Sequence, residues 1–123
     1  MASSEHKTAL DEREIPWLVT PAKAQEAVRR IVEACHPHAV ILFGSYARGE
    51  ITRDSDLDIL VVADDSTEHC RKEAVRLRHL LREVFMPMDI LVVRQSDLER
   101  LKDAPGLIYQ TCLSEGIVAY GKI

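Results

Sequence analysis

The sequence predicts a small α/β domain of the α+β kind, in which helices and strands alternate along one chain. Two observations carry that expectation. Three short apolar runs of strand length occur at Ala39–Phe43, Leu57–Ala63 and Met88–Val93, and the stretches around them place apolar residues at helical spacing. With 123 residues, 46% hydrophobic and 29% charged, the chain can build one core and has little left for a second.

Residues 1–14 are polar and aperiodic, which predicts a flexible tail, with a single domain spanning 15–123. Thr20 before Pro21 is an N-cap followed by a first-turn proline. Ala24, Ala27, Val28, Ile31, Val32 and Cys35 then share one helical face, and Pro37 ends the helix. Ala39–Phe43, bounded by Pro37 and Gly44, is too short for a helix and reads as a buried strand. Leu57–Ala63 reads as a second buried strand, interrupted by Asp58.

From Thr67 to Phe85, the residues Cys70, Ala74, Leu77, Leu81 and Val84 form the apolar side of an amphipathic helix, with Arg71, Lys72, Arg78 and Arg82 elsewhere on it. Met88–Val93 is a third strand with one acid, Asp89. Ser96 and Glu99 have the spacing of a capping box for the next helix. Pro105–Gly106 breaks the chain before a short helix at Leu107–Ser114 and a small strand at Ile117–Tyr120.

Composition removes several function classes. A net charge of -4 argues against a protein whose affinity comes from neutralising many phosphates, so no direct nucleic-acid binding is expected. Cys35, Cys70 and Cys112 are odd in number and lack ligand spacing, as do His36, His38, His69 and His79; structural roles are expected for all of them. There is no apolar signal core and no membrane-length run, so a cytoplasmic protein that does not engage a membrane is expected.

The chemistry is carried by the acids. An unpaired carboxylate in an apolar strand is costly, and two of the three strands contain one. Side chains alternate along a strand, so Asp56 and Asp58 project from the same side and could chelate a hard divalent cation. Upstream, Gly44 and Ser45 sit where a strand ends, offering backbone N–H groups to a phosphate. The four residues Gly44, Ser45, Asp56 and Asp58 at this fixed spacing would match by chance in on the order of one chain in a thousand. Asp-x-Asp alone is weaker, being common in loops and in glycosyltransferases.

GSYARGE followed by SDLDILV resembles the signature of the DNA polymerase β-like nucleotidyltransferase superfamily. The short length is most similar to its minimal nucleotidyltransferase domains, the antitoxins paired with helical HEPN-type toxins. The resemblance implies a palm-like mixed β-sheet flanked by helices. It further implies Gly44 and Ser45 on the triphosphate of ATP, Asp56 and Asp58 on magnesium, and Asp89 as a third carboxylate that binds metal and helps deprotonate the acceptor. Two Mg2+ ions are expected. Several such antitoxins transfer AMP to a tyrosine of the toxin.

Arg48 and Arg53 are candidates for the phosphate charge. Asp89 has other readings, as a strand-edge acid or the partner of a buried arginine, because the sequence leaves its register against Asp58 open. Asp54 is either an outer-shell group or a surface residue, the latter favoured. The basic face of Arg71, Arg78 and Arg82 is either solvated or docks an acidic partner. Larger superfamily members carry domains that grip the acceptor, and this chain has no residues left to build one. The acceptor is therefore expected to be another protein, in a hetero-oligomer or with a homodimer. The competing reading is a binding module that neutralises its partner by complex formation, its site idle.

Overall fold

The computed structural model describes residues 11–123. Residues 1–10 of the expected tail lie outside it, while Asp11–Glu14 form a turn in which the Ile15 N–H donates to the Asp11 carbonyl at 2.8 Å. The elements that follow are α1 (Pro21–Cys35), β1 (Ala39–Phe43), β2 (Leu57–Ala63), α2 (Cys70–Leu80), β3 (Met88–Arg94), α3 (Gln95–Leu101), α4 (Ile108–Glu115) and β4 (Ile117–Gly121).

Local chemistry sets the ends of these elements. The Thr20 hydroxyl accepts from the Lys23 N–H at 3.2 Å, capping α1, and Pro21 occupies the first turn where a missing N–H costs nothing. His36 closes the helix in the left-handed region, φ 46°, its N–H donating to Val32.

The helix expected over Thr67–Phe85 is regular only from Cys70 to Leu80. Val84 and Met86 still reach the core, but through turns, which apolar spacing cannot distinguish from a further helical turn. The expected capping box is also corrected. Ser96 lies inside α3, and its N–H donates to the Asp65 carboxylate, 2.9 Å away and 31 residues earlier in the chain, so the cap comes from the loop after β2.

The sheet order is β3-β2-β1-β4, with β2 and β3 parallel and the other two pairs antiparallel. A mixed sheet flanked by helices is thus present. β1 and β2 are central and buried almost throughout, which explains their continuous apolar runs. Val40, Leu42, Leu57, Ile59, Val61 and Ile90 face α1 and α2, whereas Ile41, Phe43, Leu60, Val62 and Val93 face α3 and α4.

β3 is an edge strand, only partly buried. β4, the opposite edge, is exposed at every residue although its sequence is largely apolar.

Lys23 joins the N-terminal segment to the turn before β3. Its ammonium donates to the carbonyls of Pro16 at 2.6 Å, Leu18 at 2.9 Å and Phe85 at 2.8 Å. All three donors of the ammonium are thereby satisfied, each by a charge-assisted bond.

Candidate active site

The acids gather at one end of the sheet because of strand register. Phe43, the last residue of β1, pairs with Asp58 on β2, and Asp58 is level with Asp89 on β3. Neighbouring strands lie about 4.8 Å apart and level residues of a parallel pair share a face, so the two carboxylates point the same way. That face is the one carrying Leu60, Val62 and Val93, on the side of α3 and α4. Asp56 precedes β2 by one residue and, two positions from Asp58, falls on the same side. The register that the sequence left open is therefore fixed.

Gly44 follows β1 with φ 76°, a conformation that other L-residues adopt at a cost. A Cβ there would run into the Asp58 carboxylate, so the missing side chain is what allows Asp58 to lie over the turn. Beyond it, the Arg48 N–H donates to the Gly44 carbonyl at 3.2 Å and the Glu50 N–H to the Ser45 carbonyl at 2.8 Å. This compact turn leads into a loop that folds Tyr46 and Ile51 onto the core.

Electrostatics follow the geometry. Burial lifts the Asp58 carboxyl above the usual carboxylate range. The charges of Asp89 and then Asp56 push it further, and Arg48 opposes them. Arg48 is itself steadied by Glu50 at 2.9 Å and by Glu115 of α4 at 3.7 Å. Cys112 lies beneath this end of the sheet, its thiol raised to about 11 by burial and by the Asp58 charge, which suits a packing role.

The structure does not bring every expected residue together. The Arg53 guanidinium stands 5.9 Å from the centre of the Trp17 ring, and its carbonyl accepts from Trp17 Nε1 at 3.0 Å; the charges that act on Asp58 are those of Asp89, Asp56 and Arg48. Asp54 is exposed, in a turn closed by Thr52 and Ser55. Asp89 carries a neighbour, Arg78 of α2 at 3.6 Å, and both are more than half exposed, so the arginine partner weighed for Asp89 exists but is not buried. The sequence marks Trp17 only as the point near which order begins; its contact with Arg53 has no signal there, because a lone aromatic before a helix carries no pattern.

Among the described residues no three His, Cys, Asp or Glu side chains stand as a ready-made metal cage. The donor set nonetheless suits magnesium, which commonly takes one or two carboxylates and completes its shell with water and substrate phosphate. A half-buried carboxylate crowded by two like charges, over a glycine turn a Cβ would fill, has the chemistry of such a site.

Residues 22–111 match the family described as nucleotidyltransferase domain. The chain belongs to that family. Two provisionally named protein adenylyltransferases of Methanocaldococcus jannaschii are similar to it. One is 68% identical over 25 residues, 20% of this chain and 25% of that protein; the other is 36% identical over 58 residues, 47% and 58%. The matched segments thus span a quarter of one relative and somewhat over half of the other.

Solved structures share the fold. A provisionally named nucleotidyltransferase from Sulfolobus solfataricus superimposes with a TM-score of 0.53 at 19% identity, covering 82% of this chain and 79% of that one. A chain of a toxin–antitoxin crystallised with AMP-PNP gives 0.53 at 24%, covering 80% and 73%. A chain of the toxin–antitoxin MntA-HpeT gives 0.56 at 23%, covering 85% and 74%. Within this family fold, no described helix is long and apolar enough to cross a membrane.

Proposed function

We propose that this chain is a magnesium-dependent nucleotidyltransferase that moves AMP from ATP to a hydroxyl of a protein partner, a tyrosine of a HEPN-type helical toxin. It acts as the antitoxin of that pair. The observation that carries the reading is the level placement of Asp58 and Asp89, with the Asp58 carboxylate lying over Gly44.

The backbone N–H groups of the Gly44–Ser45 turn donate to phosphate oxygens, and the missing Cβ at Gly44 leaves room for the Asp58 carboxylate beside them. Asp56, Asp58 and Asp89 would hold the magnesium, which would supply neutralisation of the phosphate charge when bound. Arg48 adds a positive charge close to Asp58. Asp89 accepts the proton of the acceptor hydroxyl as the oxygen–phosphorus bond to the α-phosphate forms. The bond to the β-phosphate oxygen breaks and pyrophosphate leaves, the entering and leaving oxygens being roughly in line.

Incubation of the protein with magnesium, ATP labelled at the α-phosphate and the helical protein encoded beside it should label that protein, and Asp58→Asn should abolish the label. A binding module with an idle site would neutralise its partner equally well as the Asp58→Asn variant. Absence of labelling, together with no rise in melting temperature on adding magnesium and ATP, would overturn the enzymatic reading.

A further inference from the structure

Around the edge of β3 from Asp89 lies a cleft of about 370 Å³ lined by Trp17, Arg78, Arg82, Phe85, Met86 and Met88. Its rim is apolar and open to solvent: Phe85 is 61% and Trp17 36% exposed, although aromatic residues make up only 5% of the chain. Its charge is one-sided. Of the carboxylates on and after α2, Glu73 is taken by Arg76 at 2.7 Å and Glu83 by Arg30 at 3.4 Å. Among the described residues Arg82 has no carboxylate partner, and Arg78 has only Asp89.

The position of the cleft follows from the sheet order. Gly44 and Ser45 lie beyond β1, on one side of Asp58, and β3 is the sheet edge on the other side. An in-line displacement places the nucleophile opposite the leaving group, so with pyrophosphate leaving over Gly44–Ser45 the acceptor comes in across β3. Met88 and Asp89 are consecutive and point to opposite faces, Met88 toward the cleft and Asp89 toward the acids.

We propose that this cleft seats the residues flanking the acceptor hydroxyl, and that it selects an acidic, aromatic-bearing segment of a protein. An apolar or aromatic side chain packs among Trp17, Phe85 and Met88 while a neighbouring carboxylate pairs with Arg82 and Arg78. A carboxylate at Arg78 also competes with Asp89 for that guanidinium, which couples docking to the release of the Asp89 carboxylate. The assignment of an acceptor segment rests on the transfer reaction proposed above.

Trp17 is the sole tryptophan, so its emission reports on the cleft directly. Titration with a glutamate-rich Glu–Tyr copolymer should change that emission saturably. A lysine-rich Lys–Tyr copolymer, or the Arg82→Glu variant with the first polymer, should bind roughly tenfold more weakly or worse. Phe85→Ser should weaken binding similarly, and unchanged far-ultraviolet circular dichroism would show that both variants fold.

Equal response to the two copolymers, no response to either, or an Arg82→Glu variant that binds like the wild type would overturn the proposal. The thermal shift with magnesium and ATP is read on the same samples. Its absence alongside an intact copolymer response removes the reaction and leaves the docking surface, and the converse removes the docking surface alone.

Discussion

Asp58 and Asp89 stand level on neighbouring parallel strands, yet they live in different surroundings. β2 is sealed on both faces, so Asp58 is half-buried, has no cation within ion-pair distance among the described residues and is lifted above its ordinary range. β3 is an edge, so Asp89 is 58% exposed and shares Arg78 with solvent. Two similar acids in two apolar runs therefore differ in kind. One is held in place at a cost to the fold, and the other is placed where a second molecule can reach it.

The comparison breaks first at Asp58. Asp58→Asn should lower the transfer rate by about 10³-fold, since charge neutralisation at the phosphates is worth several kcal/mol. The same substitution should raise the melting temperature of the chelator-treated protein. The folded pKa of Asp58 lies above its unfolded value of 3.8, so the folded state binds this proton more tightly. Stability is then lost as pH rises from about 3.8 through the folded pKa. Denaturant melts across that window should show the loss in the wild type and not in Asp58→Asn; a parallel pH profile in both would refute the account of Asp58.

Asp89→Asn, as loss of a proton acceptor, should cost about 10²-fold in rate and leave the melting temperature nearly unchanged, which steady-state labelling and calorimetry can read together. If Asp89→Asn instead stabilised the protein as much as Asp58→Asn, the contrast between sealed and edge strand would fail. Gly44→Ala should destabilise by about 1–3 kcal/mol through its positive φ and its collision with the Asp58 carboxylate, measured as a shift in urea midpoint. The smallest effect belongs to Arg78→Ala. An ion pair this exposed contributes less than about 1 kcal/mol, and the variant should melt within error of the wild type.

Much of this architecture was legible because burial on both faces leaves an uninterrupted apolar run. β1 and β2 stand out for that reason, and α1 announces itself through Thr20, Pro21 and its apolar stripe. Gly44, Ser45, Asp56 and Asp58 could be singled out because a turn and a strand tie their spacing together.

What escaped the sequence depends on contacts between distant segments. The level pairing of Asp89 with Asp58 is set by how β3 docks, not by any residue near it. Asp65 caps α3 from another loop, Trp17 captures Arg53 across 36 positions, and β4 carries the composition of a core strand while standing exposed at the sheet edge.

The three carbonyls gathered by Lys23 have a consequence for how the domain breathes. Pro16 and Leu18 are joined to Phe85 through one ammonium, so two stretches more than sixty positions apart share a single fastening. They should open together rather than one at a time. In amide hydrogen exchange the N–H of Leu18, which donates to Ile15, and that of Met86, which donates to Val84, would then lose protection in one step once Lys23 is acetylated.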